Sequence, residues 1–562
     1  MQVLLAFVLL CVFVTWWREK GLMTIHTNTD VLIVGAGPTG LMLANQLARR
    51  GVRPLIIDKN PGPSIHTKAL GVQARTLEIY SHLGIAERAL ELGTKATGAN
   101  LWAEARRVAR IPLGDIGRDL SPFPFLLILG QDDNERLLGE ALRTHDIDIE
   151  WNTELVDLVQ TSEHVTAKLK LKDGAGLKVE ADWVAGCDGP HSAVRTLNKI
   201  DFVGAPYEHV FFVADTHVTG PMTPGELNIY LWRGGFHLFF PMHGADHWRV
   251  VGILPPNLQT RDDLEFDEVF PSVREEVGSS LLLQECTWFS TYRIHHRRAE
   301  RFRDRRCFLL GDAAHIHSPV GAQGMNTGLQ DAYNLAWKLA LVISGRADAS
   351  LLDSYETERV PVAERLLKTT DQAFQVISSD RWLAGLFRTR IAGKLAAFVM
   401  TFERTRRLAF RTISQIGISY PKSPLSETLA RLPDGGPQAG DRFPWLRLKL
   451  ASNGPTEDLF SKLDDTRFNL IVIGQPGLPG DPSSLAADPS FAVNLSPSAF
   501  VGLVQTHQIP DDPVNDQELT RAHIPKPSFY LLRPDCHIGL AGTHLEAASV
   551  EGYFADRLAL RK

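Results

Sequence analysis

The sequence predicts an α/β fold, a Rossmann-like unit followed by an inserted antiparallel sheet, and three observations carry it. An apolar, β-branched run over residues 31–34 leads directly into Gly35-Ala36-Gly37-Pro38-Thr39-Gly40. Two later segments, Cys187-Asp188-Gly189 and Gly311-Asp312-Ala313-Ala314-His315, each follow an apolar run and so fall at strand ends. Between them lie alternating apolar segments broken by Gly234-Gly235, the mark of a hairpin.

Residues 31–34 read as a buried parallel strand. Gly35 permits the tight turn, Gly37 lets the backbone approach a pyrophosphate beside Pro38, and Gly40 allows a helix over 41–50 to pack on the strand. The first amides and the dipole of that helix favour a phosphate. Residues 54–57 form a second strand ending at Asp58, where a carboxylate accepts hydrogen bonds from ribose hydroxyls. The unit suits NAD and FAD equally.

Residues 183–186 run as a strand into Asp188 and Gly189, with Ser192 and Arg195 just behind, and 307–310 deliver Gly311 and Asp312. Ligands of α/β sheets bind at these carboxyl ends. Pro319, Gly321, Gly324 and Gly328 then let backbone come close to a flat ring. The amphipathic stretch 329–343 follows, and backbone donors near Met325 and Asn326 would face negative charge gathered on that ring.

The three segments in this order resemble the flavin-dependent aromatic hydroxylases related to para-hydroxybenzoate hydroxylase and phenol hydroxylase, single-component FAD monooxygenases. Residues 69–78, Gln131 with Asn134-Glu135, and 315–337 match as well, so the resemblance covers nearly all of the chain from Thr29. It implies that Asp58 holds the adenosine ribose, Gln131 lies along the flavin, and Asp312 meets the ribityl-pyrophosphate region. Asp188 and Gly189 would serve both FAD and a passing nicotinamide. Lys68 stands where the family places an arginine facing the FAD phosphates. A lysine neutralises phosphate as a point charge but lacks the bidentate fork.

The chemistry implied is reduction of FAD by NAD(P)H, reaction with O2 to a flavin C4a-hydroperoxide, and hydroxylation of an aromatic, phenolic small molecule. No second GxGxxG occurs, so NAD(P)H has no domain of its own and visits a groove. Some members of the family perform Baeyer-Villiger or epoxidation reactions with the same motifs, and a non-catalytic, membrane-tethered flavoprotein is the reading from another class.

Residues 227–232, 236–240 and 248–254 alternate as antiparallel strands. Trp232, Phe239, Phe240 and Trp248 would line a planar ligand or simply fill a core. Tyr230 and His237 share that sheet and could deprotonate a phenol, although a satisfied structural histidine competes as an account of His237. The sequence assigns no catalytic residue.

The expected organisation is an FAD-binding domain over 23–200 and 295–420, a substrate sheet over 201–294 with part of 95–130, a Pro/Gly-rich linker over 421–445, and a last domain over 446–562. That last domain resembles the thioredoxin-like third domain of the phenol hydroxylase branch, with Arg533-Pro534-Asp535 as its late strand ending and no redox cysteine pair. A homodimer is compatible with this plan.

A net charge of -6 over 562 residues gives no sign of nucleic-acid binding. Cysteines 11, 187, 286, 307 and 536 show no metal spacing and suit a reduced, cytosol-facing protein. Residues 3–17 are apolar apart from Thr15, end in Trp16-Trp17 and precede Arg18 and Lys20. Two readings stay open. Residues 1–22 are a membrane anchor holding the enzyme on the cytoplasmic face, or translation starts at Met23 and the enzyme is cytoplasmic.

Overall fold

The computed structural model describes residues 26–561, apart from 66–68, 245, 262, 279–280, 318–320, 379–381, 430–431, 452, 476–499 and 501. Strand β1 (His26–Val34) feeds helix α1 (Pro38–Ala48), and β2 (Leu55–Asp58) follows. After helix α2 (Gln131–Arg143), β3 (Gly176–Gly186) pairs in parallel with β1 on the side opposite β2. Strand β4 (Cys307–Leu309) then adds in parallel to β3. This register sets the carboxyl ends of β1, β3 and β4 side by side. All three strands bury continuous apolar runs, as strands covered on both faces must.

Helix α3 (Gly324–Ile343) follows β4 and packs on α1, while α4 (Asp353–Ser378) and α5 (Glu403–Ile413) lie outside it. Its residues from Asn326 to Leu341 are all buried, because one side meets the first sheet and the other meets the C-terminal domain.

The second sheet has eight strands, running from His315–Ile316 through Leu282–Ala299, Phe202–Thr219, His247–Ile253, Gly235–Pro241 and Glu226–Trp232 to Gly98–Ala103 and Arg106–Pro112. The hairpin pairs Trp232 with Gly235. Strand Leu282–Ala299 crosses residue 295, so one continuous strand joins the second sheet to the chain returning to β4.

The third sheet orders its main strands Val504–Ile509, Phe468–Ile473, Ser528–Leu532 and Ile538–Gly542, the first two parallel and the others antiparallel. Glu427–Thr428 joins its edge, and Leu432 and Phe443 are buried in the same core, so segment 421–445 packs with the C-terminal domain. Residues 1–22 lie outside the described residues. Among the described residues no helix is long and apolar enough to cross a membrane.

Candidate functional site

The glycine turn after β1 is held by contacts that explain two of its three glycines. Gly35 has φ +105° and donates its N–H to Ile57 O at 2.8 Å. A Cβ there would lie 2.3 Å from Cys187 O, and one on Gly40 would lie 1.9 Å from Gly35 O. Gly37 differs, since a Cβ on it would meet nothing within 4 Å. No atom among the described residues requires that glycine, so the open space beside the first turn of α1 is available to a ligand. Pro38 takes the first helical position, where its missing N–H costs nothing, and no side chain caps the turn. Asp58 accepts from Ala36 N and Asn60 N, each at 2.8 Å, bracing the turn while each oxygen keeps a further lone pair.

Asp188 and Asp312 sit at the neighbouring ends of β3 and β4. Asp188 Oδ2 accepts from Ala193 N at 2.6 Å and Val194 N at 3.2 Å, capping a short helix. Its Oδ1 is buried with no hydrogen-bond partner among the described residues, and burial raises the carboxyl pKa. Gly189 has φ +76° and leaves the space at its Cβ open. Asp312 is reached by solvent yet closely surrounded by protein, and that enclosure raises its pKa while His315 pulls it down. Gly311 (φ +58°) and Gly328 both close on Thr39, where added Cβ atoms would come within 2.7 and 2.4 Å of its Oγ1. Thr39 is therefore the point where the first turn of α1, the Gly-Asp turn and α3 converge. Arg195 straps the two acidic turns, donating to Pro190 O at 2.7 Å and Ala313 O at 2.8 Å, with its guanidinium 3.9 Å above the Phe202 ring.

At the start of α3, Met325 is half-buried against the core and Asn326 is fully buried. The Asn326 amide is spent inside the protein, accepting from Gln73 N (2.9 Å) and Thr76 Oγ1 (2.7 Å) and donating to Gly71 O and Ala322 O (both 2.8 Å). It ties segment 69–78 to the helix, a role that the sequence reading, which looked to the backbone here, did not foresee. The first amides of α3 have no intrahelical partner and stay available. Gly324 packs near His317, whose Nε2 would be 3.3 Å from an added Cβ. Gln131 opens α2, donating Nε2–H to Glu135 Oε1 at 2.9 Å, while Glu135 Oε2 accepts from Ser64 N at 3.0 Å. Burial raises the Glu135 pKa. Lys68 and Pro319 lie outside the described residues.

Two residues that sequence reasoning missed organise the Gly311 turn. Asp331 Oδ2 accepts from Gly311 N (3.0 Å) and pairs with His315 Nε2 (2.8 Å), while Oδ1 takes Arg359 Nε (2.6 Å). Arg359 also donates to Tyr420 Oη (2.8 Å) and Thr327 O (3.2 Å). Burial would raise the Asp331 pKa, but Arg359 and His315 bring it below the usual carboxylate value. The signal in the sequence was weak: Asp331 is one of two charged residues in the otherwise uncharged α3, while Arg359 lies in a helix rich in charge.

The second sheet corrects the expected aromatic lining. Side chains alternate across a strand, and Tyr230, Phe239 and Trp248 fall on the face packed beneath helix Phe266–Val277 with Val269 and Val273. Trp232 stacks on His237, which pairs with Glu276 of that same helix. These aromatics are core, and neither Tyr230 nor His237 is placed for phenol deprotonation. Phe240 lies on the opposite face and packs with Leu227 and Met242 against Leu70 and Leu126, beside Gly71 and the 321–325 loop. That face also carries a buried Arg249–Asp215 pair (2.6 and 2.7 Å), with the guanidinium 5.3 Å above Trp288. A groove of about 370 Å³, lined by Thr327, Leu366, Leu408 and Gln415, reaches the first turn of α3 from outside.

The residues present fit a dinucleotide: open space at Gly37, an orphaned Asp188 oxygen, and Asp312 open at adjacent strand ends. Comparison with known proteins agrees. The FAD binding domain family model matches residues 28–370. The 6-methylpretetramide 4-monooxygenase of Streptomyces rimosus is 30% identical, over 91% of this chain and 90% of its own. Pentachlorophenol 4-monooxygenase of Sphingobium chlorophenolicum is 32% identical over 79% and 80%. The solved anhydrotetracycline hydroxylase OxyS from Streptomyces rimosus superposes with a TM-score of 0.74 at 27% identity, covering 95% of this chain and 99% of that one.

Proposed function

Because the chain belongs to the FAD-dependent aromatic monooxygenases, we propose that it hydroxylates a phenolic ring held between the Phe240 face of the second sheet and the 321–325 loop. FAD is the cofactor, and NAD(P)H serves as hydride donor. The observation that carries the reading is the convergence on Thr39, which brings the Gly35–Gly40 turn, the Gly311-Asp312 turn and the start of α3 to one place.

In this reading, the first turn of α1 and the space at Gly37 take the pyrophosphate, and Asp58 meets the adenosine ribose. Asp188, Gly189 and Asp312 border the middle of the dinucleotide. Gln131, Gly324 and the amides of Met325 and Asn326 border the ring. Bound FAD supplies hydride acceptance and oxygen activation. The protein positions the substrate and excludes water: Phe240 and its apolar neighbours present a flat dry surface, and the Arg249–Asp215 pair sets the charge behind it. Relatives named for 6-methylpretetramide and pentachlorophenol support an aromatic substrate.

The test is oxidation of NADPH and NADH by the FAD-loaded protein across phenols and polycyclic aromatics, with product mass recorded. Substrate-stimulated oxidation with a product heavier by one oxygen is expected. Stimulated oxidation yielding only peroxide, or no stimulation by any ring, counts against the reading. A lactone or epoxide product would favour the same-family alternatives.

A further inference from the structure

Nine of the sixteen exposed large apolar side chains among the described residues fall within residues 386–413. They are Leu386, Phe387, Ile391, Leu395, Phe398, Val399, Phe402, Leu408 and Ile413. Phe387, Ile391, Leu395 and Val399 recur every fourth residue and so form one row along a helical ribbon. Phe398, exposed by 63%, meets Phe402 edge-on at 5.4 Å beside that row.

This exposure is not the fraying of a loose segment, because the inner side of the ribbon is fastened. Arg388 donates to Trp232 O (3.1 Å) and Arg233 O (2.9 Å), a Cβ on Gly385 would stand 3.0 Å from Arg233 O, and one on Gly393 would stand 2.8 Å from a Val108 methyl. A monomer in water gains nothing by holding such a row outward.

Charge selects what covers it. Residues 382–413 carry seven basic side chains and one acid, Glu403, in a chain whose net charge is -6. Arg390 pairs with Glu104 and Arg407 with Glu403, while Arg406 bonds Met400 O and Thr401 O. Lys394, Arg404 and Arg411 are exposed and join no ion pair among the described residues. Phe and Leu on one side with unpaired cations at the rim are the composition of a helix lying in a membrane interface.

We infer that the outward face of residues 386–402, continued by α5, seats on an anionic lipid bilayer. Leu408 belongs both to this face and to the groove that reaches Thr327. Docking therefore brings the mouth of that groove to the lipid surface, where apolar aromatics collect.

Amide hydrogen exchange of the full-length, FAD-loaded chain tests this, with vesicles of phosphatidylcholine alone or mixed with phosphatidylglycerol. Exchange across 386–413 slows on the mixed vesicles only. In the Lys394→Gln/Arg404→Gln variant, whose flavin content reports its folding, the lipid concentration needed for that protection rises roughly thirtyfold. Three results overturn the inference: vesicle binding with exchange at 386–413 unchanged, which leaves the N-terminal run as the sole contact; equal protection by neutral vesicles; or protection that tracks protein concentration without lipid, which makes the face a contact between copies.

Discussion

Helix α3 carries two buried ionic networks, and they serve opposite purposes. Near its start, Asp331 collects Gly311 N–H, His315 and Arg359, so one carboxylate shapes a backbone turn at the candidate site. Farther along, Lys338 and Glu358 meet Arg533 and Asp535 of the C-terminal domain, and Trp337 and Asn334 also donate to Asp535. The second network takes side chains from the two domains and fastens one to the other. Equal burial and similar chemistry thus have different consequences, depending on whether the carboxylate holds main chain or a neighbouring domain.

Substitution at each network separates the roles. Asp331→Ala strands Arg359 and His315 and should cost about 3–5 kcal/mol, as removal of one partner from a buried ion pair does. The folded fraction should also lose FAD affinity, because the Gly311 turn loses its acceptor. Asp535→Ala should cost a comparable amount, yet leave FAD affinity of the folded fraction within about twofold, a difference under 0.5 kcal/mol. Equal flavin loss in the two variants, measured by titration at a temperature where both are folded, would erase the distinction. Sequence alone showed Asp535 only as part of a late strand ending in the last domain; it is 2% exposed inside the interdomain network.

The two tight glycines and the open one extend the comparison. Gly40→Ala forces a Cβ onto Gly35 O and should unfold the first βαβ unit. Gly37→Ala should keep the thermal midpoint and weaken FAD by at least about tenfold, or ~1.4 kcal/mol. An unchanged flavin affinity would place the pyrophosphate elsewhere.

pH probes the interdomain network. Burial alone would raise the Glu358 pKa, but Arg533 and Lys338 bring it from 4.5 to about 2. The folded state therefore binds this proton less readily than the unfolded chain. The resulting stability is present above pH 4.5 and is lost as pH falls towards 2. Burial brings Lys338 from 10.5 to about 8 against the pull of Glu358, so its contribution to stability rises with pH across that window. Thermal midpoints of Glu358→Gln should fall less steeply than wild type on the acid side; an identical slope would remove Glu358 from the account.

The smallest effect is at Tyr230, whose buried hydroxyl has no hydrogen-bond partner among the described residues. Tyr230→Phe should be neutral or stabilise by roughly 1 kcal/mol and leave substrate-stimulated NAD(P)H oxidation unchanged. Phe240→Ala, on the opposite face, should raise KM. A rate loss in Tyr230→Phe would reverse the assignment of the two faces.

The parts legible in the sequence were those whose determinants are local. A β-branched run, glycines at fixed spacing and an acid at a strand end state the βαβ unit directly, and Gly35, Gly40, Asp58, Asp188, Gly311 and Asp312 stand where that grammar puts them. The hairpin at Gly234-Gly235 was equally readable. Which face of the second sheet meets the flavin domain was not, since alternation states that Tyr230 and Leu231 point oppositely without naming what covers either side. Helix Phe266–Val277 decided it by occupying the Tyr230 face.

Asp331 and Arg359 are 28 residues apart and join only when α3 and α4 pack. Arg195 reaches Ala313 across 118 positions for the same reason. Sequence by itself determined the strand-end chemistry and a dinucleotide-binding turn, because hydrogen-bond geometry and backbone freedom act over a few residues. Tertiary structure alone decided which polar side chains were spent inside the protein and which faced outward, because burial and pairing depend on neighbours brought together by folding.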